Sequence, residues 1–310
     1  LVGMGDNEVM KCLKGVKGSE VKLGIKRHGT TELQYFTVVR GEIPVVSVDA
    51  YFMKDEHTGY IHVKNFGEQT YAEMLVALAN LNMKGMEQLI MDLRGNQGGY
   101  MHVAIQMVNE FLPANNLIVY TEGRKSPREE FHSDGRGTFQ KLPIVVLVDE
   151  FSASASEIFA GAIQDHDRGV IVGRTSYGKG LIQKNIEFND GSGIRITSAR
   201  YKTPSGRPIQ RPYTMGNDDA YHSDSTRYLH PDSIVRADSL KFKTLKRGRE
   251  VYACGGITPD VYLRVDTLQL TPNLLNSIKN GVTMDAALYC FTSCKTLLIC
   301  CIVRSFLFFH

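Results

Sequence analysis

Short apolar runs alternating with helix-period segments restrict the fold of this chain more than any other feature. Gln88-Leu89-Ile90-Met91-Asp92, Pro143-Ile144-Val145-Val146-Leu147-Val148 and Gly169-Val170-Ile171-Val172-Gly173 are too short for ordinary helices and rich in branched aliphatics. Such runs suit strands buried on both faces. Between them, residues 68–81 place Tyr71, Met74, Leu75, Leu78 and Leu81 at helical spacing, and 103–111 and 154–164 also read as helices. Tyr60–Val63 adds a strand before them; Ile194–Thr197, Ala199–Tyr201 and Val261–Leu263 add strands after them. Strand, helix, strand, helix, strand implies right-handed parallel crossovers and a layered α/β core.

The flanks differ. Residues 1 to about 40 read as a small β-rich unit: a short helix at Asn7–Leu13, then strands at Val21–Arg27 and Leu33–Arg40. Residues 213–247 are polar and interrupt the pattern as an insertion. The stretch LLICCIV in the tail is broken by Arg304 and falls short of the roughly 20 apolar residues a membrane helix needs. It reads as an interfacial segment, a buried one, or the product of a shifted reading frame. No charged-then-apolar leader follows Leu1, so no signal peptide is expected within this sequence.

Bulk properties exclude several classes of function. A chain of 310 residues, 43% hydrophobic and 22% charged, is an ordinary globular composition for one large domain or two smaller ones. A net charge of +3 is too mild for a nucleic-acid partner, and the basic cluster Lys241–Arg249 is short. Cys290, Cys294, Cys300 and Cys301 lack the paired spacing of a zinc site, while Cys12 and Cys254 stand alone. His57, His62, His132 and His166 form no ligand pattern, so neither a metal nor an organic cofactor is expected.

Three segments carry chemistry. Ser154 and Glu157 fit a helix capping box, which is a structural role, yet a helix start also presents free amides to a developing anion. Ser152, Ser154 and Ser156 are all candidate nucleophiles there. Lys179 lies in a glycine-flanked turn, and no histidine is in either motif, so lysine is the candidate base. The run Gly173–Lys179 has the outline of a phosphate-cradling loop, but Gly180 replaces the hydroxyl that would hold magnesium, and strand rather than helix follows. Asp92–Tyr100 is a glycine-rich turn leaving a buried strand; Asp92 and Arg94 read as local structural anchors. A lysine acting as base must lose about 3 pKa units from about 10.4, roughly 4 kcal/mol, which burial away from carboxylates can supply. Tyr177–Ile182 contains no acid, which is compatible with that role.

Taken in order, Asp92-Leu93-Arg94-Gly95-Asn96-x-Gly98-Gly99, Ser152-Ala153-Ser154-Ala155-Ser156-Glu157 and Gly178-Lys179-Gly180-x-x-Gln183 resemble the carboxyl-terminal processing peptidases, or tail-specific proteases. The separation of Ser154 and Lys179 matches that family, and Thr203–Arg207 and Gly255–Asp260 extend the match, which covers roughly residues 1–265. Gln97 stands where Pro or Gly is common. The resemblance implies a crotonase-like ββα protease core over 41–265, preceded over 1–40 by the second half of a PDZ domain; the tail 266–310 follows no family pattern. It further implies Ser154 as nucleophile, Lys179 as general base and Gln183 as the residue orienting the lysine amine. The amides of Ala155 and of a glycine in the Gly98-Gly99 turn, Gly98 first, would hold the oxyanion, and Gly99, Gly178 and Gly180 would line the substrate site. The implied activity is a serine endopeptidase acting through an acyl-enzyme on proteins or peptides with a free carboxyl terminus. It needs no cofactor, and the implied location is extracytoplasmic, with peripheral membrane association. The competing expectation is a non-catalytic peptide-binding protein on the same scaffold, inactive through truncation.

Overall fold

A computed structural model of the chain describes residues 4–27, 31–42, 46–212, 240–253 and 255–264. Most of the expected insertion at 213–247 lies outside the described residues, as do Cys254 and the tail 266–310 with its four cysteines. The chain divides into two compact units, Leu1–Val46 and Ser47–His310.

In the first unit, helix α1 (Asp6–Leu13) precedes strands β1 (Glu20–Ile25) and β2 (Gln34–Val39), which pair antiparallel with Glu20 opposite Val39. Arg40 closes this unit on itself, donating from Nε to Leu13 O at 2.8 Å and from Nη1 to Ser19 Oγ at 2.9 Å.

The second unit runs β3 (Val48–Met53), β4 (Thr58–Val63), α2 (Thr70–Met83), β5 (Gln88–Asp92), α3 (Met101–Asn109), β6 (Leu117–Gly123) and β7 (Ser126–His132). It continues through β8 (Ile144–Val148), α4 (Ala155–Asp165), β9 (Val170–Gly173), β10 (Leu181–Glu187), β11 (Gly193–Lys202), β12 (Lys241–Lys243), β13 (Glu250–Tyr252) and β14 (Val261–Tyr262). One sheet has the order β14-β9-β8-β5-β4-β3; every neighbouring pair in it is parallel except β3 and β4. A second, antiparallel sheet has the order β10-β11-β6-β7. The fold is therefore the mixed, layered α/β arrangement that the alternating runs imply.

Helices cover the parallel sheet because its strands are apolar on both faces. Ile61, Met91, Val146 and Ile171, from four adjacent strands, are fully buried. Helix α4 is enclosed along its whole length. Small residues allow this: at Gly161 a Cβ would already lie 2.8 Å from Thr203 Cγ2. Phe159 of α4 meets Phe111, just beyond α3, edge to face at 6.0 Å between ring centroids. Strands β3, β6 and β7 escape the sequence reading, and β11 is one continuous strand where two are expected, at 194–197 and 199–201.

Candidate active site

The sheet order assembles the site. Strands β5, β8 and β9 are adjacent and parallel, so the segments leaving their carboxyl ends (93–100, 149–154 and 174–180) emerge side by side. In parallel sheets this edge is where ligands bind. All three motifs singled out in the sequence lie there.

Asn96 stitches the first two segments together. It is fully buried, donates from Nδ2 to Val63 O at 2.7 Å and accepts the Gly98 amide on Oδ1 at 2.8 Å. Its carbonyl oxygen accepts from Ala153 N at 2.9 Å and from Ser156 Oγ at 2.9 Å. Nothing in the sequence pattern marks Asn96 as more than a turn residue. The glycine turn therefore arrives directly against α4. A Cβ built on Gly98, whose φ is +100°, would lie 2.7 Å from Ala153 O, 2.8 Å from Ser154 Cβ and 3.1 Å from Ala155 N. Gly99 is excluded from side-chain growth by Phe66 O, 2.3 Å from where its Cβ would be.

The three candidate serines separate by environment. Ser152 is buried and donates to Leu93 O at 2.7 Å; Ser156 is buried and bonds Asn96 O. Ser154, at the cap of α4, is partly exposed and holds φ +56° and ψ −110°. A non-glycine residue there costs on the order of 1–3 kcal/mol and persists only where its surroundings enforce it. Two amides next to it, those of Ala155 and Gly99, have no acceptor among the described residues. The Gly98 amide is committed to Asn96 Oδ1.

Glu157 links the serine to the lysine turn, a role its place in a capping box does not announce. Its carboxylate is wholly buried and accepts four hydrogen bonds. Ser154 N at 2.9 Å and Lys179 N at 2.9 Å reach Oε2, while Gly178 N at 2.7 Å and Ser176 Oγ at 2.5 Å reach Oε1. Burial pushes its pKa up, opposed by those four donors. An acid thus lies beside Lys179 after all, supplied by α4 and not by the residues around the lysine. Lys179 itself is exposed, and its amine makes no bond to Ser154 or Gln183 among the described residues; Gln183 is exposed on β10, next to a register shift. Gly178 and Gly180 are tightly enclosed, with Gly255 C and Gln210 N each 2.8 Å from a Cβ built on them, and Gly180 N donates to Gln210 Oε1 at 2.9 Å.

The same bonds dispose of a phosphate cradle. The amides of Arg174, Ser176, Tyr177, Gly178 and Lys179 all donate to protein oxygens, leaving too few donors in that turn, among the described residues, to cradle a phosphate. Asp92 and Arg94 pair with each other at 2.6 Å, and Tyr60 OH donates to Asp92 Oδ2 at 2.7 Å. The hydrogen-bonded Asp92 holds the Arg94 guanidinium firmly charged, while burial and then Asp92 push the Tyr60 phenol up.

Comparison with known proteins finds relatives among processing proteases. The carboxyl-terminal-processing protease of Synechocystis sp. is 38% identical over 248 residues, covering 79% of this chain and 54% of that protein. The carboxy-terminal processing protease CtpA of Bacillus subtilis is 36% identical over 209 residues, covering 67% of this chain and 44% of that protein. The chain thus spans about half the length of the relatives it matches. Among solved structures, a photosystem II D1 C-terminal processing protease superposes with a TM-score of 0.53 at 25% identity, over 87% of this chain and 62% of that one. A model of peptidase family S41 matches residues 57–216, which contain every segment of the site described above, and the chain belongs to that family.

Proposed function

We propose that the chain carries the catalytic unit of a serine endopeptidase that cleaves near the carboxyl termini of protein substrates. The observation that supports this most directly is the meeting of Ser154, in a strained backbone conformation, with two amides that have no acceptor among the described residues and a tethered lysine turn at one sheet edge. In this reading Ser154 Oγ attacks the scissile carbonyl carbon while Lys179 Nζ, uncharged, takes its proton. The carbonyl oxygen becomes an oxyanion facing the amides of Ala155 and the Gly98-Gly99 turn at the positive end of α4. Collapse breaks the C–N bond, Lys179 returns the proton to the departing amine, and an acyl ester on Ser154 remains. Water then adds to the ester with Lys179 again as base, releasing a carboxylic acid and restoring the hydroxyl.

With Gly98 N held by Asn96, the amide of Gly99 is the more readily available partner for Ala155 in holding the oxyanion. Lys179 must swing from solvent toward Ser154, and in this reading Gln183, just past the register shift in β10, orients it by hydrogen bonding without adding charge. Residues 1–40 fit a partial PDZ unit that captures a peptide carboxyl terminus, and 41–265 the protease core. An extracytoplasmic setting follows from the family resemblance.

Hydrolysis of an unstructured peptide ending in a free apolar carboxyl terminus tests the reading. Cleavage that is lost in both Ser154→Ala and Lys179→Ala, with folding intact, is the expected result; full cleavage by either variant excludes the dyad. The exposed amine of Lys179, without a bond among the described residues, favours a second reading, a peptide-binding protein that has lost activity. Mass analysis of the Ser154 peptide after fluorophosphonate treatment separates the two, since only an activated hydroxyl is labelled.

A further inference from the structure

Resting on the peptidase reading, we propose that Glu157 is a positioning residue: its carboxylate ties the backbone of the nucleophile to the backbone of the base. Oε2 alone receives the amides of both Ser154 and Lys179, each at 2.9 Å, so one atom bridges the start of α4 and the turn after β9. Oε1 holds the same turn at Gly178 N and Ser176 Oγ. Ser176 Oγ in turn accepts from Ile257 N at 2.6 Å, anchoring the turn to a third segment. A capping residue needs only the bond to Ser154 N; the other three serve the lysine turn.

The surroundings leave that carboxylate without an ion pair among the described residues. From α4 itself no other charged group faces it. From the turn come Ser176, Tyr177 and Lys179. From the segment after β11 comes Arg211, whose Cβ packs 3.0 Å from a Cβ built on Gly178 and whose guanidinium lies 5.3 Å from the Tyr177 ring centre. Three amides and one hydroxyl therefore hold the Glu157 carboxylate in place, against the desolvation that its burial imposes.

Glu157→Gln is nearly isosteric but turns one acceptor into a donor facing two amide or hydroxyl donors, and it removes the charge. With the peptide substrate above, kcat is expected to fall about 30-fold or more while KM stays within about threefold, as misplacement of reacting groups predicts. Glu157→Asp keeps both acceptor oxygens but with a shorter reach, so kcat should fall while KM again stays within about threefold. A folded Glu157→Gln protein with kcat within about threefold of the unsubstituted value overturns the proposal, and so does a loss carried by KM with kcat unchanged. Amide hydrogen exchange of Gly178 and Lys179, compared with and without Glu157→Gln in the Ser154→Ala background, tests the tether without any activity. Faster exchange supports it and unchanged exchange overturns it. Absence of peptide cleavage by the unsubstituted protein would count against the peptidase reading alone, leaving the tether to be judged by exchange.

Discussion

Gly98 and Ser154 are packed so closely that a methyl group on the glycine would lie 2.8 Å from Cβ of the serine. At φ +100° the position also disfavours any side chain. Gly98→Ala must therefore displace the start of α4 or open the turn. Peptide hydrolysis should fall by about 100-fold or more, the usual consequence of moving a reacting group by an ångström. Urea unfolding should register a loss of about 1–3 kcal/mol. Unaltered hydrolysis by Gly98→Ala would show that the turn and the serine do not cooperate.

Asn96 carries a second expectation. Its side chain satisfies two buried backbone groups, Val63 O and Gly98 N, and no water can replace it at zero exposure. Asn96→Ala should cost about 2–4 kcal/mol in urea unfolding, one unsatisfied group at each end plus a small cavity. Asn96→Asp keeps the acceptor for Gly98 N but loses the donor to Val63 O, and should remain destabilised. A further signature is release of the Gly98 amide, visible as faster hydrogen exchange in Asn96→Ala.

Much of this arrangement is legible in the sequence, and the reasons differ by element. The strands ending at Asp92, Val148 and Gly173 could be read because they are apolar on both faces, and their adjacency follows from parallel crossovers. Hairpin β6–β7 could not be read, since its second strand, Ser126–His132, is mostly polar and exposed and shows no alternation. Ser154 and Lys179 stand out through motif and spacing. Asn96 and the full role of Glu157 do not, because each acts through contacts to residues far away in sequence that only the sheet order brings near. The sequence also could not reveal that Gly98 N is already occupied.

Away from the site, Arg207 and Asp165 form an enclosed ion pair at 2.8 Å, with both side chains almost fully buried. Arg207 Nη2 also donates to Gln164 Oε1 at 2.5 Å, and Asp165 Oδ2 accepts from Ser205 N at 2.9 Å. The pair locks the end of α4 to the turn after β11. Arg207→Ala leaves the carboxylate of Asp165 buried without its cation and should lower stability by about 3–5 kcal/mol. Arg207→Met, which fills the space but brings no charge, should lose nearly as much while Asp165 remains. The pair Arg207→Met with Asp165→Leu should recover a substantial part of the loss. Denaturant unfolding of the three variants measures this; equal stability of the single and double variants would deny the coupling.

His166 supplies the pH prediction. It sits at the end of α4, buried, with Nε2 2.6 Å from Leu117 O, an arrangement that makes the ring nitrogen a donor. Burial pushes its pKa down, and the carbonyl and the neighbouring Asp165 only partly offset this. The unfolded chain therefore takes up a proton near pH 6.5 that the folded chain resists. Below that pH the unfolded state binds more protons, so stability contributed by the neutral ring is present above about pH 6.5 and is lost as pH falls toward the depressed folded value. Denaturation midpoints should decline between about pH 7 and pH 5. His166→Gln keeps a donor to Leu117 O without a titrating ring, and should flatten that part of the curve. A decline of unchanged steepness in the glutamine variant would assign the effect to other groups.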